Sequence, residues 1–439
     1  MISAASFLTA KKDLGSRAFD VGVVGLGKLG TPVALAMSLM GHRVVGFDVD
    51  QSRMQKLVFC EKEVGPNGEQ SIERLLQESD IEFGDVSEVV ECSEIIFVAV
   101  QTPHDHRFEG VTRLPEERAD FDYSYLKAAI RILVRAIQDN GQEKAVVIIS
   151  TVLPGTIRRE IMPLLNPLVK LCYNPFFIAM GTTIPNFLDP EFVLLGADDE
   201  EAADRVKEFY RTLHQKPVLE MSIENAELTK VAYNTFVSMK ICYANTLMEV
   251  CHKTPGCDVD VVTSALKMAT DRLISTKYLT AGMGDGGGCH PRDNIAMSWL
   301  AKELDLSYDW FENLMLCREK QTEFLADLTE KECREMNTGL VHVWGMAFKP
   351  ATNLTVGSPA VLLANILRER GLKVDHFDPI IHGCPGDGYA HAGVFVIATK
   401  HDVFTRLKVP PGSVVIDPFR YIPEQEGVKI ISVGRGEKS

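Results

Sequence analysis

Apolar runs of five or six residues alternate with longer amphipathic stretches along most of the chain. This is the rhythm of strands buried on both faces of a parallel sheet and of the helices that cover it. Val21-Gly-Val-Val-Gly25, Val44-Val-Gly-Phe-Asp48, Ile95-Ile-Phe-Val-Ala-Val100 and Ala145-Val-Val-Ile-Ile-Ser150 read as strands, with helices over Thr31–Met40 and Tyr123–Gln138 and another strand near Val193–Leu195. The pattern then turns helical: Ser222 to Cys251 holds no proline or glycine, Ser222 suits an N-cap, and Glu224 and Glu227 suit a first turn. Such a helix spans about 45 Å, enough to join two domains or to form an interface between copies. Near Gly339 the alternation resumes, with strands over Leu340–Met346, Lys373–Pro379, Gly393–Thr399 and Ser413–Asp417 and a helix over Ser358–Arg370.

The first strand runs into Gly25-x-Gly27-x-x-Gly30, and the second ends at Asp48. Gly25 permits a tight turn, Gly27 lets a pyrophosphate approach the backbone, and Gly30 lets helix and strand pack closely. Asp48 falls where a carboxylate accepts from ribose hydroxyls and repels a 2′-phosphate, so NAD is favoured over NADP. Thr102 and Thr151 follow strand ends, where open parallel sheets bind ligands. The intervening His104–Asp120 is polar and charged, and reads as a long loop, either a mobile insertion or part of the ligand edge. The turn Ala347–Asn353 lacks the dinucleotide glycines, so the last α/β region should bind something other than NAD; Lys349 there is either a phosphate partner or simply exposed.

The segment Gly284–Asp293 delivers one thiol, Cys289, through four glycines, Gly286 among them, that let backbone pass close to a ligand. Pro291 fits the first turn of a following helix, and the partial positive charge of a helix start, with Arg292 close in sequence, suits a sulfur nucleophile. Free cysteines are more often small buried hydrophobes and glycine clusters more often turns, so the surroundings must decide. Lys230 and Asn234 are four apart on the long helix with Glu227 nearby, either a solvated face or a pair aimed at one ligand.

At 439 residues the chain calls for two or three domains, and 46% hydrophobic with 24% charged residues describes a soluble globular protein. A net charge of −14 argues against nucleic-acid and membrane partners, leaving anionic ligands to a few placed cations and amides. Ten cysteines without CxxC or zinc-like spacing suit a reducing compartment and imply no metal. With no signal-like N-terminus and no membrane-length apolar run, a cytoplasmic location is expected.

Four segments, Gly287–Asp293, Lys230–Asn234, Ser150–Thr156 and Phe348–Pro350 with Ser358-Pro359, resemble the UDP-glucose/GDP-mannose dehydrogenase family over roughly Val21 to Arg435. The resemblance implies an α/β fold of two Rossmann-like parallel-sheet domains joined by a long central helix and a helical dimerisation region. Residues 1–220 would bind NAD, 221–335 would carry the cysteine loop, and 336–439 would bind the nucleotide of a UDP- or GDP-sugar, in a homodimer. It further implies oxidation of the sugar alcohol to the acid with two NAD⁺. Cys289 would form a thiohemiacetal and then a thioester, Lys230 and Asn234 would stabilise the alkoxide, Asp293 would assist proton transfer or hold water, and Thr151 would lie beside the nicotinamide. Arg53 and Arg292 match cofactor positions, and Arg272 matches an arginine that reaches the sugar nucleotide across the dimer. Three departures mark a divergent member: Phe176 replaces a glutamate linked to thioester hydrolysis, Val356-Gly357 replaces an arginine–glutamate pair, and Glu191-Phe192 replaces an acid–arginine pair. These leave open a two-electron alcohol or hydroxyacid dehydrogenase using Lys230 and Asn234, or an inactive paralogue that binds NAD and a nucleotide.

Overall fold

The computed structural model describes residues 18–50, 63–65, 68–70, 72–77, 79–179, 181–271, 273, 275, 277–284, 287–383 and 390–435. They divide into two compact units, one reaching to Pro103 and resuming over Phe121–Val231, the other made of His104–Asp120 and the residues from Ala232 onward.

The first unit is built on β1 (Asp20–Val24), α1 (Gly30–Leu39), β2 (Arg43–Phe47), β3 (Ile81–Phe83), α2 (Val86–Cys92), β4 (Ile95–Val98), α3 (Ser124–Asn140), β5 (Lys144–Ile148), β6 (Val169–Tyr173), β7 (Val193–Ala197), α4 (Glu200–Leu213) and β8 (Val218–Met221). Its eight strands lie in the order β8-β7-β6-β5-β4-β1-β2-β3. Val21 pairs with both Val44 and Ile95, so β1 is flanked by β2 and β4 and the strand order reverses beside it. α3 shows how pattern becomes packing: Leu126, Ile130, Leu133 and Ile137 recur on one buried face, and Gly141 ends the helix at φ 75°. Every pairing in the sheet is parallel except β6 with β7, where Cys172 meets Ala197 antiparallel. Among the described residues the connection before β7 holds one short helix, Thr183–Leu188, and the chain returns alongside β6 in the opposite direction.

α5 (Ile223–Lys253) starts in the first unit and continues into the second. There follow α6 (Val259–Lys267), α7 (Cys289–Glu303), α8 (Trp310–Glu335), β9 (Leu340–Trp344), α9 (Pro359–Glu369), β10 (Lys373–Phe377), β11 (Val394–Ile397), β12 (Val414–Asp417) and β13 (Lys429–Ser432). The five strands form an all-parallel sheet, β10-β9-β11-β12-β13. Asp258, Asp309 and Ser358 cap α6, α8 and α9 with side-chain acceptors.

His104–Asp120 is not a loose insertion. Phe108 is buried with Ile295 and Met315, and Arg113 pairs with Glu319 at 3.0 Å and Glu369 at 2.7 Å, so the stretch is a strap packed on α7, α8 and α9. Among the described residues no helix is long and apolar enough to cross a membrane.

Candidate active site

In the first unit the glycine turn stands at the carboxyl end of β1. Gly25 has φ 96°, and a Cβ on Gly30 would meet the Gly25 carbonyl oxygen at 1.9 Å, so both positions require glycine. A Cβ on Gly27 would have no heavy atom within 4 Å, which leaves space over the turn. α1 begins there with no side-chain cap and no acid in its first turn, the start an anion can complete. Asp48 accepts from Leu26 N at 2.8 Å and Asp50 N at 2.9 Å, which sets it beside the turn. Each carboxylate oxygen accepts more than one hydrogen bond, so ribose hydroxyls remain compatible partners. The residues present therefore fit a dinucleotide. Thr102 and Thr151 are brought together: Thr102 Oγ1 donates to the Thr151 carbonyl at 2.7 Å.

Two residues of α5, Glu227 and Lys230, hold backbone at another edge of this unit. Glu227, wholly buried, accepts from Gly155 N at 2.6 Å and Ile157 N at 2.8 Å and so holds the backbone that follows Thr151. Burial raises its pKa to about 7, against the pull of the two amides. One turn on, Lys230 donates from Nζ to the Phe176 carbonyl at 2.8 Å and lies 5.0 Å from the Phe177 ring centre. The Phe176 ring packs on Phe187, and Phe177 on Phe192, so the segment bearing the departures meets Lys230 with a carbonyl and an aromatic face. Asn234, a further turn on, belongs to the second unit.

In the second unit, α7 opens at Cys289, which is exposed, and Pro291 lies in its first turn. Asn234 Nδ2 donates to Asp293 Oδ2 at 2.6 Å, and Arg292 Nε donates to Asp293 Oδ1 at 3.0 Å. Asp293 has no exposure, so these two partners fix its carboxylate. Two residues that the sequence did not single out complete the setting. Ser238 Oγ lies 3.2 Å from His290 Nδ1 and accepts from Asn294 Nδ2 at 3.0 Å. Asn245 donates to the Gly284 carbonyl at 3.2 Å and accepts from Gly282 N at 3.0 Å. Asn234, Ser238 and Asn245 share one buried face of α5, and that face holds both ends of the cysteine loop.

The turn after β9 meets the same loop. A Cβ on Gly287 would lie 2.6 Å from the Phe348 ring, and Lys349 Nζ lies 5.6 Å from the centre of that same ring. Gly357, where the resemblance leads one to expect glutamate, has φ 69°, and its Cβ would meet Gly288 Cα at 2.4 Å; no side chain fits there. His104 is half-buried; the burial of its ring, with Arg292 adding to the effect, lowers its pKa to about 4, so it is neutral. Arg53, Arg272 and Gly286 lie outside the described residues.

The glycine turn on the first sheet defines an α/β dinucleotide-binding protein. The chain belongs to the UDP-glucose/GDP-mannose dehydrogenase family: residues 19–214 match its NAD-binding domain and residues 224–319 its central domain. It is 28% identical to the UDP-glucose 6-dehydrogenase TuaD of Bacillus subtilis over 82% of this chain and 76% of that protein. With the GDP-mannose 6-dehydrogenase of Pseudomonas aeruginosa it shares 27% identity over 92% of this chain and 97% of that one. A UDP-glucose dehydrogenase from the archaeon Pyrobaculum islandicum superposes with a TM-score of 0.81 at 28% identity, covering 96% of this chain and 99% of that one. The protein is thus an NAD-dependent oxidoreductase acting on a CH–OH group.

Proposed function

We propose that this protein is a nucleotide-sugar 6-dehydrogenase that oxidises the C6 alcohol of a UDP- or GDP-hexose to the uronic acid in two steps at one thiol. The observation that carries this reading is Cys289, exposed at the start of α7 and one turn from the buried Asn234–Asp293 pair. Bound NAD⁺ would supply the hydride acceptor for each oxidation, two equivalents in all.

The first oxidation removes a hydride from C6 and a proton from its hydroxyl. Cys289 Sγ then adds to the aldehyde carbon, and the ammonium of Lys230 and the amide of Asn234 steady the oxygen that gains charge. The thiohemiacetal still has a hydrogen on C6, and its loss as hydride leaves a thioester. Water adds, the thiolate leaves, and Asp293, held by Asn234 and Arg292, takes the water's proton. Phe176 cannot do that work. Thr102 and Thr151 would border the nicotinamide, with Arg53 and Arg292 as further cofactor contacts, and Lys349 would meet the substrate diphosphate. Residues 1–220, 221–335 and 336–439 would serve as cofactor, thiol and nucleotide regions. We further propose a cytoplasmic homodimer: eight described thiols are free, and every exposed position of α5 from Asn225 to Val250 is uncharged.

The test is the number of NADH formed per substrate consumed across UDP- and GDP-sugars, with products identified by mass. Two NADH and a sugar acid are expected, and Cys289→Ser should abolish acid formation. One NADH with an aldehyde or ketone would instead support a two-electron dehydrogenase, the reading that the aromatic Phe176 favours. Nucleotide binding with no NADH from any sugar would leave an inactive paralogue.

A further inference from the structure

Arg318 of α8 is 3% exposed, yet it is far from every residue assigned above in sequence. Its guanidinium donates from one terminal nitrogen to the Gly110 carbonyl at 2.7 Å and from the other to the Gly357 carbonyl at 3.0 Å. Both acceptors belong to backbone pressed on the cysteine loop. A Cβ on Gly110 would lie 2.6 Å from Pro291 Cβ, and one on Gly357 would lie 2.4 Å from Gly288 Cα. One residue therefore holds two segments, and those segments bear on the backbone of Gly288, immediately before Cys289, and on the ring of Pro291, two residues after it.

We propose that Arg318 is a positioning residue for the thiol: by fixing Gly110 on Pro291 and Gly357 on Gly288, it sets where Cys289 stands. A planar guanidinium suits this task, because its two outer nitrogens meet two carbonyls at a separation that the group itself fixes; an ammonium is a point donor and imposes no such spacing. The strap has other anchors. Asn365 donates to the Val111 carbonyl at 2.8 Å, and Leu114 N donates to Glu319 at 2.6 Å. Those contacts keep the strap on α8 and α9, whereas Arg318 links it to the segment that closes on Gly288. The glycine at 357 is part of the same device, since it lets the carbonyl that Arg318 holds come to rest against the loop.

The inference rests on the reading of Cys289 as the nucleophile, and the test separates the two. Arg318→Lys, Arg318→Met and Gly110→Ala are compared with the unaltered enzyme in two ways. One is the rate of Cys289 alkylation by iodoacetamide, followed by peptide mass. The other is kcat and KM with NAD⁺ and the nucleotide sugar that the stoichiometry panel identifies. The expected result for Arg318→Met is an alkylation rate altered about fivefold or more and a kcat lower by about 10- to 100-fold, with KM for NAD⁺ within about twofold. Arg318→Lys should fall between, and Gly110→Ala, which leaves the guanidinium intact, should resemble Arg318→Met. A folded Arg318→Met with a lower melting temperature but unaltered alkylation and kcat would make Arg318 a stability residue only. If neither Arg318 variant folds, unaltered alkylation and kcat in Gly110→Ala overturn the proposal equally. Two NADH per substrate from Cys289→Ser would defeat the thioester reading instead, and would leave the alkylation comparison standing.

Discussion

Glu227 shows what one residue can do when it is buried against backbone. Its two oxygens take the amides of Gly155 and Ile157, and burial lifts its pKa from 4.5 to about 7. The folded protein therefore keeps a proton that the unfolded chain releases near pH 4.5. The stabilisation is complete below that pH and is lost as pH rises through about 7, a change of up to about 3 kcal/mol. Urea unfolding followed from pH 4.5 to 8 should show this decline, and Glu227→Gln should flatten it while costing about 1–3 kcal/mol at the acid end through one lost acceptor. An equal slope in both proteins would mean that Glu227 does not titrate there. Glycine turns and a thiol in a glycine loop are legible in sequence, because their meaning is local. Glu227 and Arg318 are not, because the groups they hold lie 72 and 208 residues away.

At the scale of elements, α5 was legible almost to its ends. The run Ser222–Cys251 without glycine or proline predicts the helix, which spans Ile223–Lys253, since that absence is a sufficient signal in a run so long. Its inner face was not legible, because a polar residue that faces loop backbone looks in sequence like one that faces water. The same ambiguity hid the strap, whose charges point to a solvated loop until Glu319 and Glu369 are placed beside Arg113. Asn245 bears on the start of the cysteine loop, with one hydrogen bond on each side of Met283. Asn245→Ala should lower stability by about 1–3 kcal/mol by leaving a buried amide and carbonyl unmet. Because the loop also carries the thiol, kcat should fall about tenfold or more while NAD⁺ affinity holds. Thermal unfolding and turnover measured together decide: a lower melting temperature with full turnover would confine Asn245 to stability.

The whole molecule was legible as two sheets of alternating α/β units, but strand direction was not. An apolar run such as Val193–Ala197 reads the same either way, and its antiparallel pairing with β6 depends on the chain's return path. Assembly is the remaining question at this scale. Along α5, Leu228, Phe236, Tyr243 and Val250 are 41% to 55% exposed, and Asn225, Ala232 and Thr246 complete an exposed face without charge, about 38 Å long. A face of that length and chemistry suits a second copy, and in a two-fold dimer each substitution enters the interface twice. Tyr243→Arg would place two unpaired cations there, which should weaken association by about 100-fold or more. Sedimentation at micromolar protein should give the mass of two chains for the unaltered protein and one chain for the variant, with unaltered circular dichroism. A single chain from both would end the dimer reading. If Arg272 reaches the sugar nucleotide of the opposite copy, the folded monomeric variant should still bind NAD⁺ but lose turnover at low nucleotide-sugar concentration; full turnover by the monomer would show that each chain carries its site alone.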